Sequence, residues 1–296
     1  AQNCMHFDAV PLTLWDFVSC VCFASDFLPA IIFRLGIPCE EVERMKLMIR
    51  LCYRGTRYSG YQIQNNALTV QQKLNEAVKA LFGSDCDITG CSRTDSGVHA
   101  DDFCAVITRR GTDSFETKIP TEKIPLALCA HLPEDIAVKE ATLVPSDFHP
   151  RYDVKYKEYL YKIWNRPERN PFALDLCMHY PHRISEDALD KMNRAALAFC
   201  GTHDFISYMS HGGNVSDTVR TVYHAGVERN GDFVEFRISA NGFLYNMVRI
   251  MAGTLLYVAE GKIRPEDIDQ ITEAKNRTAA GFTAPASGLF LHRVVY

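Results

Sequence analysis

The sequence predicts a mixed α+β fold. Two observations carry that reading: strand-like apolar runs are mixed with amphipathic helical stretches, and one pair of runs flanks an Asn230-Gly231 turn in the manner of an antiparallel hairpin. The chain has 296 residues, 47% of them hydrophobic and 23% charged. That is enough for a sizeable core and excludes a disordered or collagen-like chain.

Leu47 to Tyr53 is apolar apart from Arg50 and reads as a strand closed by Gly55 and Gly60. Thr69 and Gln72 have the spacing of a capping box, Val70, Leu74, Ala77, Val78 and Leu81 form one helical face, and Gly83 stands where a terminal glycine belongs. A second helix is expected from Ser185 through Leu189, Met192, Ala196 and Phe199 to Gly201. Val222 to Glu228 and Phe233 to Ser239 are the hairpin strands. A further helix is expected over Leu244 to Val258, ending near Gly261, and Pro265 can open a short one over Asp267 to Ala274.

The first 44 residues differ from the rest, with six acids, two bases and four of the eleven cysteines. The run from Phe17 to Ile37 is interrupted by Asp26, Pro29 and Arg34, so it does not read as a membrane span. No basic segment precedes Trp15 as a secretory signal requires. Because a strand starts at once after Met45, translation is expected to begin there, with residues 1 to 44 an appended extension. A division near Phe148-His149-Pro150-Arg151 gives an N-terminal part, 45 to 148, and a C-terminal part, 149 to 296.

Net charge is −4, so any polyanion must be met by a local patch rather than a global field. Eleven cysteines without a C-x-x-C pair fit free thiols in the cytoplasm and give no zinc pattern. His179 and His182 flank Pro181 and are expected on the surface rather than on one metal.

The most informative stretch is Gly90-Cys91-Ser92-Arg93-Thr94-Asp95-Ser96-Gly97-Val98-His99-Ala100. Small residues flank Asp95 and let a ligand or another backbone approach its carboxylate. A neighbouring arginine could keep it ionised. The pattern alone leaves two readings open, a structural Asx turn or a catalytic carboxylate. Between 149 and 169, Arg151, Lys155, Lys157, Lys162, Arg166 and Arg169 alternate with Tyr152, Tyr156, Tyr159, Tyr161 and Trp164. Such interleaving suits single-stranded or distorted RNA, or an ordinary strand with a solvated face. Arg109-Arg110 is a weaker candidate for a phosphate contact.

The run Arg93-Thr94-Asp95-Ser96-Gly97-Val98-His99 resembles the R-T-D-[AS]-G-V-H signature of the tRNA pseudouridine synthase A family. Tyr53-Arg54-Gly55-Thr56-Arg57-Tyr58-Ser59-Gly60-Tyr61-Gln62, Phe148-His149-Pro150-Arg151 with Lys157-Glu158-Tyr159-Leu160-Tyr161, His203-Asp204-Phe205, Arg220-Thr221-Val222, Asn246-Met247-Val248-Arg249 and Gly288-Leu289 match further family segments in order. Arg54 replaces an acid and Tyr61 a tryptophan common in the family. Asp101-Asp102 replaces small residues after the signature.

The resemblance implies the pseudouridine synthase fold, two α/β subdomains with mainly antiparallel sheets joined around a central cleft. It implies isomerisation of uridine to pseudouridine in the anticodon arm of tRNA, around positions 38 to 40, by a homodimer without cofactor or metal. Asp95 would be the attacking carboxylate, at the uracil ring or at the sugar C1′. Arg249 would grip it in two hydrogen bonds, and Tyr159 would stack on the uracil. Leu289 would form an apolar wall, and Arg93, Arg151 and Lys157 would hold RNA. His99 is expected to bond the loop, and Cys91 has no arrangement that would make it a nucleophile. From pattern alone Tyr159 and Leu289 are equally core strand residues. An RNA-binding module that has lost catalysis is the rival reading.

Overall fold

The computed structural model describes residues 44–212, 215 and 217–296. The expectation for residues 1 to 44 therefore falls, Arg44 apart, outside the described residues. Arg44–Tyr296 form a compact unit built on one ten-stranded sheet. In chain order its elements are β1 (Met45–Tyr53), α1 (Val70–Phe82), β2 (Cys86–Gly90), β3 (His99–Arg109), α2 (Ile124–Cys129), β4 (Ile136–Pro145) and β5 (Tyr156–Trp164). There follow β6 (Met178–His179), α3 (Glu186–Leu197), β7 (Gly201–Asp204), β8 (Val219–Asn230), β9 (Phe233–Ala240), α4 (Met247–Ala259), α5 (Ile268–Glu273) and β10 (Leu289–Val295).

The strand order is β4-β1-β3-β10-β5-β9-β8-β7, with β2 on β3 and β6 on β5. Pairing is antiparallel except between β10 and β3 and between β5 and β6. Strands from before the expected division at 148 to 149 occupy one end of the sheet, and β5 to β9 occupy the other. β10 enters between them and pairs with both β3 and β5. Period-2 alternation sets the core face. Leu47, Ile49, Leu51 and Tyr53 of β1 bury in one cluster with Val70, Leu74, Ala77 and Val78 of α1, and the same cluster takes Tyr159, Tyr161 and Ile163 of β5 with Met192, Ile250 and Leu255 of α3 and α4.

The expected helices form, with changes at their ends. Thr69 caps α1 by accepting from the Gln72 amide, and Gly83 closes it at φ +65. The box is half made, because the Gln72 side chain turns forward to Glu76. Ser185 caps α3, while Gly201 belongs to β7 rather than to the helix end. The helix expected from Leu244 starts at Met247, since Asn246 is left-handed at φ +61 and breaks the helical path. After Pro265 the chain makes a 3-10 turn, Pro265–Asp267, before α5. In the hairpin Asn230 still pairs with Phe233, so Gly231 and Asp232 are the two loop residues. Gly231 takes the positive φ that the first position of a type II′ turn demands.

Candidate active site

The signature run forms the loop between β2 and β3. Its entry is fixed by packing: Gly90 lies under the Tyr61 ring, where a Cβ would come within 2.6 Å of it, and Tyr61 stacks on Phe103 at 4.2 Å. Cys91 donates its amide to the Cys104 carbonyl at 2.8 Å. Beyond it the loop is tied to the segment after β1. The Thr94 hydroxyl and the Tyr53 hydroxyl are hydrogen-bonded at 2.8 Å, and Tyr61 donates its amide to the Thr94 carbonyl at 3.2 Å. Gly60, at φ +88, lets that carbonyl in where any Cβ would collide with it.

Asp95 then stands at a tight turn. Val98 donates its amide to the Asp95 carbonyl at 3.1 Å, and Gly97, at φ +79, donates to the Tyr58 carbonyl at 3.2 Å. The loop ends on His99, which is buried, stacks on Phe290 at 4.6 Å and accepts the Gly55 amide on Nδ1 at 2.9 Å. Its role in bonding the loop is thus structural.

Two residues distant in the sequence bear on this turn through charge. Arg249 lies in the first turn of α4, and Tyr159 lies on β5 between Leu291 of β10 and Ile238 of β9. Burial pushes the Asp95 carboxyl above the ordinary carboxylate value, and the Arg249 charge opposes that rise. Burial also pushes the Tyr159 phenol well up, a hydrogen bond with Ser92 lowers it, and the Asp95 charge raises it further. Tyr159 is 7% exposed and meets Phe243 edge-on at 4.9 Å. The charge of a guanidinium thus bears on the carboxylate, and that of the carboxylate on a phenol, from three separate segments. Such a group can supply a nucleophile or base in a partly dry pocket.

The two-bond grip of Arg249 on Asp95 is not present. Arg249 Nε donates to the Ala284 carbonyl and Nη1 donates to Asn246 Oδ1, each at 2.7 Å. These two bonds hold the guanidinium, and its effect on Asp95 acts through space. Asn246 is the residue that sequence reasoning missed. Its left-handed backbone and its amide, which donates to Ser210 at 3.0 Å, hold it for Arg249. An asparagine just before a helical apolar run was the available signal, because asparagine tolerates that conformation.

Leu289 is buried at the start of β10, opposite Tyr161. Arg93 and Arg151 are exposed. Lys157 is a correction: it is 9% exposed, and its ammonium donates to the Cys91 carbonyl at 2.7 Å, so it faces the loop and not the solvent where a phosphate would lie. The basic and aromatic stretch divides likewise. Tyr152 and Lys155 are exposed, while Tyr161 is fully buried with its hydroxyl on the Pro285 carbonyl. Arg109 binds Ser84 and the Glu116 carbonyl, and Arg110 pairs with Asp85. Burial pushes the Cys91 thiol up to about 11, away from thiolate chemistry. Among the described residues no three His, Cys, Asp or Glu side chains gather as a metal site.

A family described as tRNA pseudouridine synthase matches residues 51–153 and 195–296. The tRNA pseudouridine synthase A of Thermoanaerobacter sp. (strain X514) is 43% identical over 250 residues, which is 84% of this chain and 99% of that one. The chain belongs to the tRNA pseudouridine synthase A family. It is accordingly an isomerase of tRNA modification. Its relatives include the tRNA pseudouridine synthase A of Acetivibrio thermocellus, 43% identical over 86% of this chain and 100% of that one. That of Anoxybacillus flavithermus is 44% identical over 85% and 98%. One chain of a crystal structure of a Cbf5-Nop10-Gar1 complex aligns with a TM-score of 0.31 and 12% identity, over 86% of this chain and 59% of that one, a likeness too slight to carry weight. In this family member the loop with Asp95 lies inside the first matched segment, and Arg249 and Leu289 lie inside the second.

Proposed function

We propose that this isomerase converts uridine to pseudouridine in the anticodon arm of tRNA, around positions 38 to 40, with Asp95 as the attacking carboxylate. The C1′–N1 bond breaks and a C1′–C5 bond forms, N1 gains a proton and the C5 proton leaves to water. The observation that carries the reading is that Asp95, on a turn fixed to the Tyr58 and Tyr61 backbone, feels the Arg249 charge and itself acts on the Tyr159 phenol. Asp95 attacks at the ring or at C1′ as the ionised form, which Arg249 favours and burial opposes. Tyr159 stacks on the detached uracil, with its hydroxyl beside the carboxylate. Leu289 supplies apolar wall.

A base inside an RNA helix is out of reach of this turn, so the uridine is extruded, at a cost of a few kcal/mol. Exposed Arg93 and Arg151 offset that cost through phosphate contacts. The two ends of the sheet act as two subdomains of a pseudouridine synthase fold about the cleft that holds Asp95. A homodimer brings more basic surface to one tRNA than this near-neutral chain offers alone. The seven described cysteines are free, which suits work in the cytoplasm, and no described helix is long and apolar enough to cross a membrane.

The test is tritium release from tRNA carrying C5-labelled uridine. Wild type is expected to release tritium and Asp95→Ala to release none while still binding tRNA. Equal release by the two removes Asp95 from the mechanism. Release that survives replacement of uridines 38 to 40 by cytidine removes the positional assignment.

A further inference from the structure

We infer that Lys157 is a positioning residue for the Asp95 loop: its buried ammonium draws the Cys91 carbonyl out of the sheet and so sets the direction in which that loop departs. The inference rests on the reading of Asp95 given above.

β2 and β3 are antiparallel, with Gly90 opposite Ala105, so the next pair is Cys91 and Cys104. In such a pair the two residues exchange both N–H to carbonyl bonds. Half of that exchange is present, since Cys91 donates its amide to the Cys104 carbonyl at 2.8 Å. The other half is diverted. The Cys104 amide donates to Cys91 Sγ at 3.4 Å, and the Cys91 carbonyl accepts from Lys157 Nζ at 2.7 Å. The ladder therefore stops at Cys91, four positions before Asp95.

The place is a junction of three strands. β10 pairs with the first residues of β3, at His99 and Ala100, and β2 pairs with its last residues, from Ala105 to Arg109. Between these two pairings β3 has no partner strand on the described ladders of that edge, and the signature loop leaves from there. Lys157, on β5 beside β10, spans the gap. It is two residues from Tyr159, so both side chains project from the same face of β5. One strand thus carries the aromatic group of the pocket and the anchor of the loop that faces it.

The chemistry fits an anchor better than an RNA contact. Lys157 makes no ion pair within 4.0 Å among the described residues, and burial lowers its pKa, with Cys91 opposing that fall and the Arg151 charge adding to it. A cation kept from water in this way is costly unless its hydrogen bonds are made, and the Cys91 carbonyl is the acceptor that it has.

The test compares Lys157→Met, which keeps length and removes the donor, with Lys157→Arg, which keeps a charged donor, and with Lys157→Gln should the methionine variant fail to fold. For Lys157→Met, kcat on tRNA is expected to fall on the order of 10²-fold, as a displaced catalytic group does, with Kd for tRNA within about twofold of wild type. Lys157→Arg is expected to recover most of that loss. A raised Kd with unchanged kcat at saturating tRNA would return Lys157 to the role of phosphate contact and overturn the inference. Unchanged kcat and Kd would overturn it too. Wild-type turnover and an inactive Asp95→Ala run alongside, so a failure of the Asp95 reading is seen separately.

Discussion

Asp95 is asked to be charged where the surroundings disfavour charge. Burial raises its pKa above the ordinary value of 3.8, and Arg249 recovers part of the loss. The sign of the effect on stability follows from linkage. Below pH 3.8 the carboxyl is protonated in folded and unfolded chains alike. As pH rises from there to the raised folded value, the unfolded chain ionises first and the fold loses stability, and above it the loss is complete. Asp95→Asn never ionises, so its melting temperature is expected to exceed that of wild type at pH 7 and to match it at pH 3. A variant no more stable than wild type at pH 7 would mean that Arg249 compensates the burial in full. At this scale the sequence was partly legible. The density of functional groups in Arg93 to His99 marked Asp95, whereas Lys157 was misread because a lysine in a strand ordinarily reaches solvent. Asn246 left only a faint signal, an asparagine ahead of an apolar helical run, since a left-handed residue is a backbone fact that spacing does not record.

Among the elements, the two loops that carry Tyr58 to Gly60 and Thr94 to Gly97 depend on each other. Gly60 has a positive φ and no room for a Cβ against the Thr94 carbonyl, so it is a required glycine on two counts. Gly60→Ala is expected to cost about 1–2 kcal/mol from backbone strain alone. It is also expected to lower tritium release by more than that stability loss explains, because the Thr94 carbonyl must move and Asp95 is next to it. Urea denaturation and the release assay, run on the same preparation, check both parts. A variant that is less stable yet fully active would separate the Gly60 contact from the position of Asp95. The regular elements were well marked by apolar periodicity and by caps such as Thr69 and Ser185. Boundaries moved where a turn intervened, at Asn246 before α4 and at the 3-10 turn after Pro265.

For the whole molecule the decisive element is β10, which sits between the strands that lead from the Asp95 loop and the strand that carries Tyr159. Leu291 is fully buried there, opposite Ala100 on one side and Tyr159 on the other. Leu291→Ala is expected to lower unfolding free energy by about 2–5 kcal/mol in a denaturant titration. A loss below about 1 kcal/mol would show that the two ends of the sheet hold without this strand's packing. Nothing in the residues of β10 told which strands would flank it, because Leu289 to Val295 reads as a core strand in any sheet. The parallel pairing with β3 joins positions about 190 apart in the chain, and contacts of that span form late. While the polypeptide is still being made on the ribosome, β2 covers only the Ala105 to Arg109 part of one edge of β3 and β6 only the last two residues of one edge of β5, and the rest of each edge waits for β10. Until β10 has been made, those stretches of bare edge are the places where a nascent chain is open to wrong partners or to a chaperone.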